Sequence, residues 1–364
     1  MNGAIAAVAD DPVRISVTES PGADWDEFVR SRADASIYHR SGWSLLPRDV
    51  FRHRAYFIEA RDAQGLAGVL PVVQQRSLFG NFATSVPFFN YGGALARDDA
   101  TALALMNRAR DLASDIGCSY LELRDVKLRA ADWQVRTDKA SMILELPSSL
   151  EALGKALGSK LRSQVKRADR EAVTVRRGGA ELLDAFYDVF CRNMRDLGTP
   201  VSPRKFFATI LERFGAETQL LVIERAGTPL AAGFLVFDGG RAEIPWASCR
   251  ADAKPLGMNM KLYWEVLSLA IERGCTSFDF GRSTVDSGTF KFKKQWGAQP
   301  LPLHWHRWER RPSPAPATDA PDSADSAGGM GRGRIMRSAT AVWQKLPLSV
   351  ANTIGPWVSP GLPW

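Results

Sequence analysis

Cysteine and histidine are both scarce, four of each in 364 residues. Cys118, Cys191, Cys249 and Cys275 stand far apart and form no CxxC pair. That argues against a disulfide framework and a thiolate zinc site, and fits a reducing compartment. His304 and His306 could share one face of a strand, but no third ligand follows nearby, so no metal is expected. His39 and His53 are isolated and read as structural or surface groups. Walker loops, Rossmann glycine runs and a Ser-His-Asp order are all missing. The longest charge-free stretch, Leu346 to Trp364, contains Pro347, Pro356, Pro360 and Pro363 and cannot form a spanning helix. Met1 to Pro12 carries two aspartates and no basic run ahead of an apolar stretch, which predicts a cytoplasmic chain without a secretory leader.

What remains is an ordinary globular composition: 45% hydrophobic and 24% charged residues, with 47 Lys plus Arg against 40 Asp plus Glu. A disordered chain is excluded, and the length predicts two domains, each able to bury a core. Composition breaks once. Residues 310–333, rich in Pro, Ala, Ser, Asp and Gly, read as a disordered linker. Residues 334–364 read as an amphipathic tail carrying Ile335, Val342, Trp343, Leu346, Val350 and Ile354, suited to docking on the body or on a membrane surface.

The body contains a repeat. Phe57–Arg61, a turn and Ala67–Val72 are matched by Val222–Arg225, a turn and Ala232–Val236, with Glu59 to Glu224 and Gly68 to Gly233 both shifted by 165 positions. Gly117–Leu123 is echoed by Gly274–Phe280 at a shift of 157. Each second match follows a helical apolar stripe: Leu105, Met106, Ala109 and Leu112 in one half, Met258, Leu262, Val266 and Leu269 in the other. The order hairpin, helix, buried strand, used twice, predicts a mixed-sheet α/β fold with flanking helices. Domains are expected at 13–146 and 147–309.

This tandem arrangement resembles the paired GNAT-like acyltransferase domains of the FemAB family. The second half sharpens the likeness through Pro255, Asn259, Leu262–Glu265, Gly274, Phe278–Ser283, Asp286, Gly288, Thr289, Phe292, Lys293 and Trp296–Ala298. Together with Phe89–Gly93 in the first half, it is similar to the FemAB-related, BioF2-like subgroup associated with exosortase and PEP-CTERM exopolysaccharide systems. The resemblance implies transfer of an acyl or aminoacyl group onto an amine of a cell-envelope or exopolysaccharide precursor. No tightly bound cofactor is implied, the acyl donor being a co-substrate: aminoacyl-tRNA, acyl-CoA or an acyl carrier.

By the same resemblance Lys293 is the first candidate for the reacting centre, with Asp279 and Arg282 as catalytic neighbours. On residue pattern alone, Asp279 and Arg282 could be a structural ion pair, and Phe290–Lys293 a half-buried strand with solvated lysines. Ser283, Asp286, Lys291 and Lys294 supply polar and cationic groups beyond a strand end, the usual place for a site in an open α/β sheet. Asn90, Tyr91 and Gly92 form a turn that could approach a ligand or be purely structural. Arg195 and Arg204 lie in and beyond a loop that the family places near the acceptor, and they suit phosphate or carboxylate.

The segment 154–177 holds eight cations against two acids, net +6. It could grip tRNA or another anionic partner, or be a solvated face. Lys254–Asn259 keeps one glycine of the pyrophosphate-cradling turn of acetyl-CoA enzymes, which weakens the case for acetyl-CoA. The sequence leaves three functions open: a FemAB-like transferase, an N-acyltransferase using acyl-CoA or an acyl carrier on a small amine or amino sugar, and a catalytically silent adaptor.

Overall fold

A computed structural model describes residues 13–130, 132–311 and 333–362. The N-terminal segment and most of the expected linker lie outside the described residues. The strands are β1 (Arg14–Thr18), β2 (Arg54–Asp62), β3 (Gly65–Ser77), β4 (Gly80–Thr84), β5 (Leu95–Ala96), β6 (Tyr120–Asp125), β7 (Gln134–Arg136) and β8 (Lys139–Glu145), then β9 (Thr174–Gly178), β10 (Thr218–Arg225), β11 (Thr228–Asp238), β12 (Arg241–Cys249), β13 (Ser277–Thr284), β14 (Gln299–Pro302) and β15 (His304–Glu309). The helices are α1 (Trp25–Ser31), α2 (Ser41–Phe51), α3 (Asp99–Asp115), α4 (Leu150–Ala156), α5 (Ser159–Ala168), α6 (Leu183–Asp196), α7 (Arg204–Phe214), α8 (Met258–Glu272), α9 (Gly288–Gln295), α10 (Gly333–Gln344) and α11 (Leu348–Val358).

The strands form two mixed sheets of the same design, ordered β1-β2-β3-β4-β6-β15-β7 and β9-β10-β11-β12-β13-β8-β14. Two tandem GNAT-like α/β units are thus present. In each, one antiparallel meander meets the next strand in parallel, through Ala83↔Leu121 in the first sheet and Ala242↔Phe278 in the second. The crossover helices α3 and α8 bury the predicted stripes, including Leu105, Met106, Ala109, Leu262 and Val266. Asp98 caps α3 by accepting from the Thr101 N–H.

Two expectations shift. The sequence match placed the hairpins 165 positions apart, whereas their β-bulges, after Ala60 and after Ile223, are 163 apart. A two-residue slip keeps every side chain on its face, because strands have a period of two, so similar residues align without being equivalent. The boundaries at 146 and 309 also miss the partition of the sheets. β8 from the first half lies in the second sheet beside β13, and β15 from the second half lies in the first sheet beside β6. Each unit is completed by a strand of the other.

The halves share one aromatic core as well. Tyr38, Trp43 and Phe89 pack with Phe186, Phe206, Phe207 and Phe234 in a single cluster, and the Trp43 and Phe214 rings stack at 4.0 Å.

Close packing of α3 on β3 depends on Gly68. A Cβ there would lie 2.9 Å from both Ala96 Cβ and Leu105 Cδ1. We expect Gly68→Val to destabilise the protein by ~1–3 kcal/mol, the usual cost of overpacking a core. Urea unfolding should show a lower midpoint with an unchanged slope.

Candidate functional site

β12 and β13 run together for only three residue pairs, the last being Glu243↔Asp279, and then part. Both strands carry an irregularity just beyond that pair. On β12 the register against β11 shifts across Ile244 and Pro245, where proline has no N–H to donate to a ladder. On β13 the register against β8 shifts between Asp279 and Arg282. Gly281 adopts φ +77 there, and a Cβ would approach Asn90 Nδ2 at 3.3 Å. A cavity of about 300 Å³ fills the opening, lined by Ile244–Ala247, Phe280–Arg282, Asn193, Met194, Phe206, Lys254, Asn259, Tyr263, Thr289 and Lys293, with Phe88–Asn90 reaching in from the first half.

Two carboxylates, Glu243 and Asp279, lie buried at the last pair before the strands part, behind the cavity wall rather than in its lining. Asp279 accepts from Ser141 Oγ (2.7 Å), the Tyr91 hydroxyl (2.9 Å) and the Gly281 N–H (2.7 Å). Glu243 accepts from Asn90 Nδ2. Burial, reinforced by the facing Glu243 carboxyl, holds the Tyr38 hydroxyl well above the usual phenol range. Desolvation, reinforced by the neighbouring Asp279 charge, pushes Glu243 up to about 8. Burial raises Asp279 too, opposed by its hydrogen bonds and by the Lys293 charge. A carboxylate poised near neutrality can take a proton from a nucleophile and pass it on.

Lys293 is buried and donates to the carbonyls of Gly281 (3.0 Å) and Arg282 (2.9 Å), the backbone at the parting of the strands. The strand reading of Phe290–Lys293 is corrected: the segment is α9, started by Ser287, whose side chain accepts from the Phe290 N–H. Its three-residue spacing turns Phe290 and Lys293 inward and leaves Lys291 and Lys294 exposed, outside the cavity lining. Arg282 donates to the Phe89 carbonyl at 3.0 Å and lies over the Trp305 ring, so it ties the cavity wall to the first half.

Other expected site residues sit elsewhere. Gly92 donates its N–H to the Arg124 carbonyl beside the cluster, and Ser283 is buried with its hydroxyl unsatisfied. Asp286 is exposed in a left-handed turn. Arg195 binds Asp196 and the Leu346 carbonyl, and Arg204 pairs with Asp184. Neither arginine lines the cavity. In the cationic segment, Lys155, Arg176 and Arg177 are paired with Glu151, Glu224 and the Glu265/Glu272 pair, while Lys160, Lys166, Arg167 and Arg170 are exposed. His39 and His306 serve the backbone: His39 Nε2 meets the Gly93 carbonyl at 3.0 Å, and the Arg129 N–H donates to His306 Nε2. Among the described residues no group of three metal-ligating side chains occurs.

Sequence reasoning missed Glu243, Tyr38 and Ser141. Trp246, packed against the shared aromatic core, also lines the cavity. A lone glutamate inside the apolar strand Ala242–Trp246 was the available signal for Glu243.

The first unit has no such site. Thr84↔Glu122 occupies the place of Glu243↔Asp279. Glu122 is bound at 3.1 Å by the fully buried Arg124, which also donates to the Phe89 carbonyl and lies over Trp305. At this junction a buried arginine thus pairs with the acid, where the second unit has a second carboxylate.

Residues 159–294 match the acetyltransferase (GNAT) domain family. No curated protein matches the chain in sequence. Among solved structures, the fold is similar to FemX (13% identity, 80% of this chain and 96% of that one, TM-score 0.59). It is also similar to L-PGS from Bacillus licheniformis (13%, 81% and 94%, 0.52) and to a tandem GNAT protein from the clavulanic acid biosynthesis pathway (11%, 83% and 100%, 0.51). Residues 159–294 thus match a GNAT acetyltransferase domain model, and the whole chain shares its two-unit fold with FemX and a tandem GNAT protein.

Because Glu243 titrates near 8 in the folded chain and near 4.5 when unfolded, the native state holds a proton that the unfolded state has released. Its contribution to stability is complete below pH 4.5 and is lost as pH rises through 8. The thermal midpoint of the wild type should fall more steeply than that of Glu243→Gln between pH ~5.5 and ~8.5. Parallel curves for the two proteins would show that Glu243 ionises normally.

Proposed function

We propose that this protein is a FemAB-like N-acyl or aminoacyl transferase, with the acceptor amine and the acyl carbonyl meeting in the cavity below Glu243 and Asp279. The observation that carries the reading is the buried carboxylate pair at the point where two parallel strands part into a cavity. In the reaction the amine nitrogen attacks the acyl carbonyl and forms the new C–N bond. The amine proton passes to Glu243 and then to the leaving oxygen or sulfur of the donor as its bond to the acyl carbon breaks. Asp279 keeps Glu243 basic by its neighbouring charge and is itself held by Ser141 and Tyr91. Arg282 and Lys293 form the wall, and Lys293 acts as a positioning residue by fixing the Gly281 and Arg282 carbonyls while its charge restrains the two acids. Asn90 and Tyr91 supply the first half's share of the site.

The acceptor we favour is a precursor of the cell envelope or of an exopolysaccharide, in line with the sequence resemblance to the PEP-CTERM-associated subgroup. The resemblance to FemX supports an aminoacyl donor. Lys254 and Asn259, at the start of α8 and open to the same cavity, favour a second reading in which a phosphorylated carrier such as acyl-CoA is the donor.

Purified protein supplied in turn with charged tRNA, acyl-CoA and acyl carrier should modify an amine-bearing nucleotide sugar with one of them, and sensitivity to ribonuclease identifies tRNA. Glu243→Gln should lower turnover by ~10²–10⁴-fold and remove the rise of kcat/KM with pH, which in the wild type should be half-complete near 8. Absence of transfer from every donor would favour the adaptor role.

Lys293→Met should lower turnover by ~10²-fold. It should also reduce stability, because two buried carbonyls lose their donor. Lys291→Met, at an exposed position, should change neither. Equal loss of turnover in the two variants would place the reacting centre elsewhere on α9.

A further inference from the structure

Of ten large apolar side chains that stand exposed among the described residues, six belong to two regions: Leu78 and Phe79 at the β3–β4 hairpin tip, and Val342, Val350, Ile354 and Trp357 in the C-terminal helices α10 and α11. Val350, Ile354 and Trp357 fall on one face of α11 at i, i+4 and i+7. Leu78 is completely exposed and Trp357 is 85% exposed. The two regions are joined through the chain end. Ser77 Oγ donates to the Gly361 carbonyl at 2.8 Å, Gln75 donates to the Pro360 carbonyl at 3.3 Å, and His53 Nε2 meets the same carbonyl at 2.9 Å. The turn that follows α11 is therefore fastened to β3 just before the hairpin tip.

The charge of the two regions is one-sided. Lys345, between α10 and α11, and Arg76, in the hairpin, are exposed, and neither residues 339–362 nor the hairpin segment 73–84 contains an acid. A subunit contact would need a complementary protein face, whereas cations beside exposed tryptophan and aliphatic side chains match an anionic lipid surface. We infer that α11 and the β3–β4 hairpin tip together form a docking surface for an anionic bilayer, with Trp357, Leu78 and Phe79 entering the interface. No helix among the described residues is long and apolar enough to cross a membrane, so the contact lies in the interfacial plane. The inference is independent of the reaction, since none of these residues lines the cavity.

Flotation of the full chain with vesicles of equal phosphatidylglycerol and phosphatidylcholine, against phosphatidylcholine alone, tests it. The wild type should float with the anionic vesicles, and binding should weaken in ~0.5 M salt. Leu78→Ser combined with Trp357→Ser should reduce binding about ten-fold or more, while circular dichroism and the thermal midpoint stay unchanged, both sites being exposed. Failure of the wild type to bind anionic vesicles, or undiminished binding by the folded double variant, would overturn the inference. So would a dimer in light scattering that the double variant converts to monomer, since a second copy would then be the occupant.

Discussion

Burying two carboxylates side by side is the constraint around which this molecule is arranged. Neither acid has a strand partner to neutralise it, and the low-dielectric setting makes an unpaired charge costly. Stabilisation comes from across the chain: Ser141 on a strand lent by the first half, Asn90 and Tyr91 from a turn of that half, and the Lys293 charge from α9. The shared aromatic core of Tyr38, Phe89, Phe206 and Phe207 holds these elements at fixed distance, so the electrostatics of the site depend on packing between the halves.

The duplicated unit supplies an internal control on that reading. At the same junction the first unit has Thr84 and Glu122, and Arg124 neutralises the single acid. One copy resolves the buried charge locally; the other leaves it to its neighbour and keeps a cavity. Trp305 lies beneath both solutions, with Arg124 and Arg282 over its ring, which couples the two junctions.

Much of the fold was legible because hydrophobic period alone marks hairpins and crossover helices, and both halves repeat it in order. Asp279, Asn90 and Tyr91 were legible as polar residues in or beside apolar runs. Glu243 carried the same signal and was passed over, because its significance arises only from its pairing with Asp279, 36 positions on. The α9 segment misled through local alternation, although Ser287 announced a helix start. The strand exchange left no trace in the sequence, because nothing within β8 or β15 specifies which sheet each joins. Their pairings, Ser141↔Arg282 and Trp305↔Arg124, join positions 141 and 181 residues apart.

That exchange also sets an order of events during synthesis. The first sheet lacks its sixth strand until Glu309 has left the ribosome, although β1 to β7 are available much earlier. Until then β6 presents an open edge, and Leu121 and Leu123 have no cover from β15. Nascent chains must hold an incomplete sheet through the translation of about half the protein, so a pause in the second half exposes an adhesive edge rather than a finished domain. Dependence on holdase chaperones should therefore track elongation rate across the second half more than the equilibrium stability of the finished fold.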